Sequence, residues 1–182
     1  MDVDDFHPAI LVANALKSGV SLPMASRPAF ELDQHVFFWL TQVIGARDRE
    51  LAEGLRDYGL RVPEWRALAA LYSRQRETRG CTMSELAELA TIDRTTLTRT
   101  VDRMQDAGWL ARLADEDDMR VTRLALTAAG KRMFERIWPA VQRLNDLALA
   151  DVSQLEIQSL RKILGRMRAN LDAYVSGETH AE

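Results

Sequence analysis

The stretch from Thr82 to Leu126 restricts this chain more than any other part of it. Thr82 and Glu85 have the spacing of a capping box, in which each side chain satisfies an orphan amide at a helix start. They predict a short helix over 83–90, with Leu86, Ala87 and Leu89 inward. Only Thr91 and Ile92 separate it from Asp93, a good N-cap for a second helix that runs to Ala107 and stops at Gly108. Ile92 and Leu97 occupy the two positions of a hydrophobic staple. Two short amphipathic helices joined by a tight turn describe a helix-turn-helix. Strand candidates over 109–113 and 121–126 then flank an acidic tip, Asp115–Asp118. A β-hairpin directly behind a helix-turn-helix is a winged helix.

The flanks read as longer helices. Phe37, Leu40, Ile44, Leu51, Leu55 and Tyr58 recur on one face of a helix over 32–58 that ends at Gly59. Val36, Trp39, Val43 and Ala46 make a second apolar stripe, so this helix is expected to be buried on two sides. Pro63 opens the next helix, with Trp65, Leu68, Ala69, Leu71 and Tyr72 inward. Thr127 caps a helix over 128–150 with Phe134, Ile137, Val141, Leu144 and Leu147 apolar and Pro139 kinking it. Ser153 and Glu156 form another capping box, before a stripe of Leu160, Ile163, Leu164, Met167, Leu171 and Tyr174. Residues 1–33 read as an arm: Pro8 opens a short apolar helix over 9–17, Gly19 stops it, and an extended linker over 20–31 carries Pro23 and Pro28. Residues 177–182 read as a frayed tail.

Composition limits the function classes. With 182 residues and 47% apolar content the chain can close one core, which excludes disordered and collagenous classes. No run approaches the ~20 apolar residues that span a bilayer. The acidic start, Met1–Asp5, and the short apolar run Ala9–Ala13 do not make a secretory signal. Cys81 is the only cysteine, and His7, His35 and His180 are scattered, so no disulfide, metal or cofactor is expected. A soluble cytoplasmic protein without a membrane partner is the default. Nucleophile elbows, Cys-x-x-Cys pairs and Gly-rich phosphate loops are absent, which argues against an enzyme. A net charge of −3 excludes an indiscriminate polycation but not selective binding to nucleic acid.

Four segments in order carry a resemblance. They are Thr82-Met-Ser-Glu-Leu-Ala87, Ile92-Asp-Arg-Thr-Thr-Leu-Thr-Arg99, Met104-Gln-Asp-Ala-Gly-Trp-Leu110, and Asp118-Met-Arg120 leading to Leu126-Thr-Ala-Ala-Gly130. With them the chain resembles the MarR family of bacterial transcription regulators over roughly 32–174. The resemblance implies a mainly α fold with a small β-wing and an intertwined homodimer. Its parts would be an N-terminal arm at 1–33, a helical dimerisation region at 34–61 and 128–176, and a winged helix-turn-helix DNA-binding domain at 62–127. It also implies a repressor on a pseudo-palindromic double-stranded DNA operator, released by a small-molecule effector that is often aromatic.

Spacing assigns candidate roles. At about 100° per residue, Leu97, Val101 and Met104 share a core face, while Thr95, Thr98, Arg99 and Asp102 point the other way. Arginine suits guanine O6 and N7, and threonine a hydrogen bond or a thymine methyl, so Thr95, Thr98 and Arg99 are the expected base readers. Arg94 and Thr96, in the first turn, suit phosphate, and Asp102 is expected to orient Arg99 or Arg103. Arg120 is the expected minor-groove residue, with Asp118 bracing it along a strand. Phe37, Trp39, Arg47, Trp65, Arg66 and Tyr72 are the expected ligand set, because an aromatic carboxylate or thioester needs apolar walls and a fixed cation. Two alternatives stand beside this reading. One is a winged-helix module that binds protein without sequence-specific DNA binding. The other is a thiol redox sensor through Cys81, which precedes a helix N-terminus.

Overall fold

A computed structural model describes residues 31–75, 80–115 and 117–176. The arm helix and linker expected before residue 31, the tail after residue 176, and Glu116 in the acidic tip lie outside the described residues. The described residues divide into two compact units, one over His35–Ala150 and one combining residues 31–34 with 151–176.

The larger unit runs through helix α1 (Val36–Leu55), α2 (Val62–Ser73), α3 (Met83–Ala90), α4 (Arg94–Asp106), strands β1 (Leu110–Ala114) and β2 (Thr122–Leu126), and α5 (Ala128–Ala148). A 3-10 turn, Arg56–Tyr58, extends α1, and Gly59 ends it in the left-handed region at φ 68°. The predicted caps are all made. The Thr82 hydroxyl accepts from the Glu85 amide at 3.2 Å, and Glu85 accepts from the Thr82 amide at 2.7 Å. Asp93 accepts from the Thr96 amide at 2.9 Å, and Thr127 from the Gly130 amide at 3.1 Å. The strands pair antiparallel, from Leu110 opposite Leu126 to Ala114 opposite Thr122. Cys81 adds a bridge to the hairpin: its amide donates to the Leu124 carbonyl at 3.0 Å and its carbonyl accepts from Leu124 at 2.7 Å. Gly80 makes that approach possible, since a Cβ there would lie 2.5 Å from the Leu124 oxygen.

Leu97, Val101 and Met104 of α4 are fully buried, as are Leu68 of α2, Leu86 of α3 and Leu124 of β2. Leu55 of α1 and Ile137 of α5 join the same core. Trp65, Tyr72 and Trp138 stack around Phe134, with ring centroids 5.3, 3.8 and 5.7 Å from it. Most of the predicted aromatic content of α2 is therefore core.

Several expected core positions are not covered. Leu89 is 43% exposed and Leu147 74%, because only one side of each helix meets a neighbour within the chain. The first half of α1 is apolar yet open: Val36, Phe37, Trp39, Val43 and Ile44 are all more than half exposed. Only Leu51 and Leu55 of that helix are buried, both from the first stripe, so within one chain a single side is covered, at the helix end, and the second stripe of Val36, Trp39, Val43 and Ala46 stays open. Pro139 lies inside α5, which continues through it.

In the smaller unit, α6 (Gln154–Ser176) starts at the predicted Ser153–Glu156 capping box. Its stripe is largely open to solvent, with Leu160, Ile163 and Leu171 exposed and Leu164, Met167 and Tyr174 half-buried. No helix among the described residues is long and apolar enough to cross a membrane.

The start of α5 is wedged against the start of the wing. The Thr127 amide donates to the Trp109 carbonyl at 3.0 Å, and a Cβ on Gly130 would stand 2.1 Å from that oxygen. Gly130→Ala should therefore destabilise the fold by about 1–3 kcal/mol through overpacking. Urea unfolding should show a lower midpoint at an unchanged slope; an unchanged midpoint would refute the wedge.

Candidate nucleic-acid interface and ligand cleft

Burial of Leu97, Thr100, Val101 and Met104 fixes which way α4 faces. Thr95, Thr98 and Arg99 are exposed on the opposite side, and Thr96 is half-buried. The Thr98 hydroxyl donates to the Arg94 carbonyl at 2.9 Å, which leaves its lone pairs and methyl group outward. Arg94 reaches back to α3, donating to the Ser84 hydroxyl at 3.2 Å. The guanidinium groups of Arg99 and Arg120 are exposed and have no partner among the described residues.

The wing is organised differently from the expectation. Asp115 is no part of an exposed acidic tip: it is buried and accepts hydrogen bonds from the Asp117 amide at 2.9 Å, the Asp118 amide at 3.1 Å and Arg123 at 2.5 Å. It folds the tip from inside. Asp118 and Arg120 lie in the turn between the strands, not along one strand. Asp118 accepts from the Arg120 backbone amide at 2.9 Å, so it braces the main chain and leaves the guanidinium unheld. Met119 beside it is 85% exposed.

Asp102 does not orient Arg99 or Arg103. It pairs with Arg112 of β1 at 2.6 Å and ties α4 to the wing. Arg103 instead pairs at 3.0 Å with Glu64, a carboxylate of α2 that is only 3% exposed. Arg123 adds a longer contact of 3.5 Å to Glu85 of α3. These ties were invisible in the sequence, because their partners lie far apart in the chain.

The ligand set splits. Ile44, Arg47, Asp48, Trp65, Arg66, Ala69, Ala70, Leu89, Ala90 and Thr91 line a cleft of about 500 Å³ where α1, α2 and the end of α3 meet. Arg47, Trp65 and Arg66 of the predicted set come together there. Asp48, which the sequence reading passed over, stands between the two arginines: Arg66 donates to it at 2.5 Å, and Arg47 lies 3.6 Å away while bonding Asn145 at 3.1 Å. Asp48 Oδ1 is buried without a hydrogen-bond partner. Phe37 and Trp39 do not line the cleft; they are exposed near the start of α1. Tyr72 does not line it either, since it stacks on Phe134 and donates to Glu135 at 3.2 Å. Cys81 is 1% exposed, so it lacks the access that a redox-sensing thiol requires.

Three charged groups of the region titrate abnormally for local reasons. Bonds from the Asp117 amide, from Arg123 and from the Asp118 amide hold the Asp115 carboxyl below the ordinary aspartate range. The backbone and hydroxyl of Thr96 do the same for Asp93, and those of Thr82 for Glu85. A carboxylate with a depressed folded-state value stabilises the fold above its unfolded value, and that contribution is lost as pH falls through the lower folded value. Asp115→Asn should bring the acid behaviour of the wing to neutral pH. Hydrogen exchange at the Asp117 and Asp118 amides should be faster than in the wild type at pH 7, and the difference should shrink below the ordinary carboxylate range. Equal exchange at pH 7 would count against Asp115 as the organiser of the tip.

The architecture has close counterparts. The MarR family model matches residues 58–120, from the end of α1 to the wing tip. The HTH-type transcriptional repressor IacR of Pseudomonas putida is 26% identical over 160 residues, 88% of this chain and 93% of its own length. The HTH-type transcriptional regulator PecS of Dickeya dadantii is 32% identical over 125 residues, 68% of this chain and 74% of its own. A solved MarR-family regulator from Silicibacter pomeroyi is similar at a TM-score of 0.69 and 26% identity, over 77% of this chain and 92% of that one. With helix-turn-helix, wing and flanking helices all matched, the chain belongs to the MarR family of transcription regulators.

Proposed function

We infer that this regulator is a homodimeric, sequence-specific DNA-binding repressor that a small anionic effector releases from its operator. The observation that carries the DNA reading is the division of the arginines. Arg103, Arg112 and Arg123 are committed to carboxylates, whereas Arg99 and Arg120 stand exposed without partners among the described residues. Arg99, Thr95 and Thr98 read major-groove base edges, Arg94 and Thr96 meet phosphate, and Arg120 enters the minor groove. The open apolar faces of α1 and α6 suit a second copy of the chain, which gives the two-fold symmetry a pseudo-palindrome needs. Repression is the sign suggested by IacR, a repressor by name.

The effector reading rests on the cleft. Two guanidinium groups and one carboxylate leave a surplus positive charge beside the Trp65 ring and small apolar side chains. That surface fits the carboxylate and ring of an aromatic acid, or the anionic part of its thioester. The cleft touches α1, α2 and the end of α3, so a ligand there that prefers one spacing of the recognition helices shifts the population away from the operator-binding form. Burial of Cys81 leaves no access for an oxidant, which weighs against a redox switch there.

Arg99→Ala should cost about 1–3 kcal/mol on the operator and relax preference at one base pair. Arg120→Ala should weaken preference for A/T-rich flanks while leaving the central half-site readout intact. Titrations on duplexes selected from a random pool measure both; an unchanged affinity for Arg99→Ala would remove that residue from the interface. For the cleft, a thermal-shift series of aromatic acids and their thioesters should find compounds that raise the melting point and release the duplex. Arg66→Ala should abolish both effects. Stabilisation that survives Arg66→Ala would place the effector elsewhere.

A further inference from the structure

Glu64 is a buried carboxylate with both oxygens in use. Oε2 accepts from the Arg61 amide at 2.6 Å, closing the first turn of α2, and Oε1 meets the Arg103 guanidinium at 3.0 Å. Arg103 lies on the recognition helix one turn beyond Arg99, on a side chain that is 42% exposed. Trp65 and Arg66, the next two residues after Glu64, line the cleft. A single turn of α2 therefore holds the recognition helix by one residue and the cleft by the following two.

We propose that the Glu64–Arg103 pair is a latch that sets the seating of α4 in the major groove, so that Glu64 is a positioning residue for operator recognition although it cannot reach DNA. The latch rests on the DNA reading of α4 given above. Its electrostatics predict a sign that no direct contact would give. Removing the Glu64 charge takes an anion away from a DNA-facing helix and leaves Arg103 unneutralised, which by Coulomb attraction alone strengthens duplex binding. Loss of a latch weakens binding to the operator and leaves non-specific binding untouched or tighter. Because Trp65 and Arg66 share the turn, any displacement of them by a bound molecule acts on the same pair.

The test compares wild type, Glu64→Gln, Arg103→Gln and the double variant. Glutamine keeps the volume of Glu64 and an oxygen for the Arg61 amide. A duplex enriched from a random pool by the wild-type protein serves as operator, and a scrambled duplex of equal length as control. Glu64→Gln should bind the enriched duplex roughly tenfold more weakly, with scrambled-duplex affinity equal or higher, and Arg103→Gln should lose a similar factor that the double variant does not exceed. Enriched-duplex affinity that is unchanged or raised in Glu64→Gln overturns the latch, as do losses that add in the double variant. If Glu64→Gln does not melt cooperatively, Arg103→Gln decides by salt dependence. An unchanged slope supports the latch, whereas a slope reduced by about one assigns Arg103 to a phosphate and overturns it. Failure of the pool to yield any enriched duplex overturns the DNA reading itself, an outcome distinct from every other.

Discussion

The burial of one face of α4 governs the rest of this molecule. Leu97, Val101 and Met104 lose all solvent contact, and each such burial stabilises the fold by about 1.5–3 kcal/mol. No rotation of the helix keeps that stabilisation and hides Thr95, Thr98 and Arg99. The exposed row is thus a consequence of core packing, and its chemistry is available without any further cost in stability. The staple through Ile92, which is also buried, and the Asp93 cap fix the helix start, so register and direction are set together.

Around that packed helix the charges fall into two groups. The buried carboxylates of Glu64 and Asp115 take up Arg103 and Arg123, the exposed Asp102 of α4 takes up Arg112, and these pairs hold α2, α4 and the wing as one piece. An isolated surface pair contributes little to stability, so the value of these contacts lies in where they hold the backbone. Arg99 and Arg120 face outward, and Arg94 is held only by the Ser84 hydroxyl. A chain of net charge −3 can therefore present a selective positive surface. Its acids are placed to consume the arginines that serve structure.

Much of this was readable in the sequence because it depends on neighbours in the chain. The Thr82–Glu85 box, the Asp93 cap, the Gly59 and Gly108 stops and the α4 core face all follow from spacing within one or two turns. The ion pairs were not readable. Glu64 and Arg103, or Asp102 and Arg112, are set side by side by the crossing of separate elements, and equally spaced acids and bases allow other pairings. Asp115 shows the same limit at short range. A run of four acids reads as a solvated tip, yet one turn of backbone converted its first member into an internal acceptor.

The expected ligand set divided for a different reason. Aromatic side chains on α1 and α2 announce apolar burial but not which cavity or interface they enter. Packing sent Tyr72 to Phe134, left Phe37 and Trp39 in the open, and kept only Trp65 beside Arg47 and Arg66. The sequence by itself determined the helix-turn-helix, its wing and the outward face of the recognition helix, since local hydrogen bonds and a 3.6-residue period are properties of contiguous chain. Tertiary structure alone decided which arginines are paired with carboxylates and which stay exposed. That choice belongs to distances between elements, which only the packed core defines.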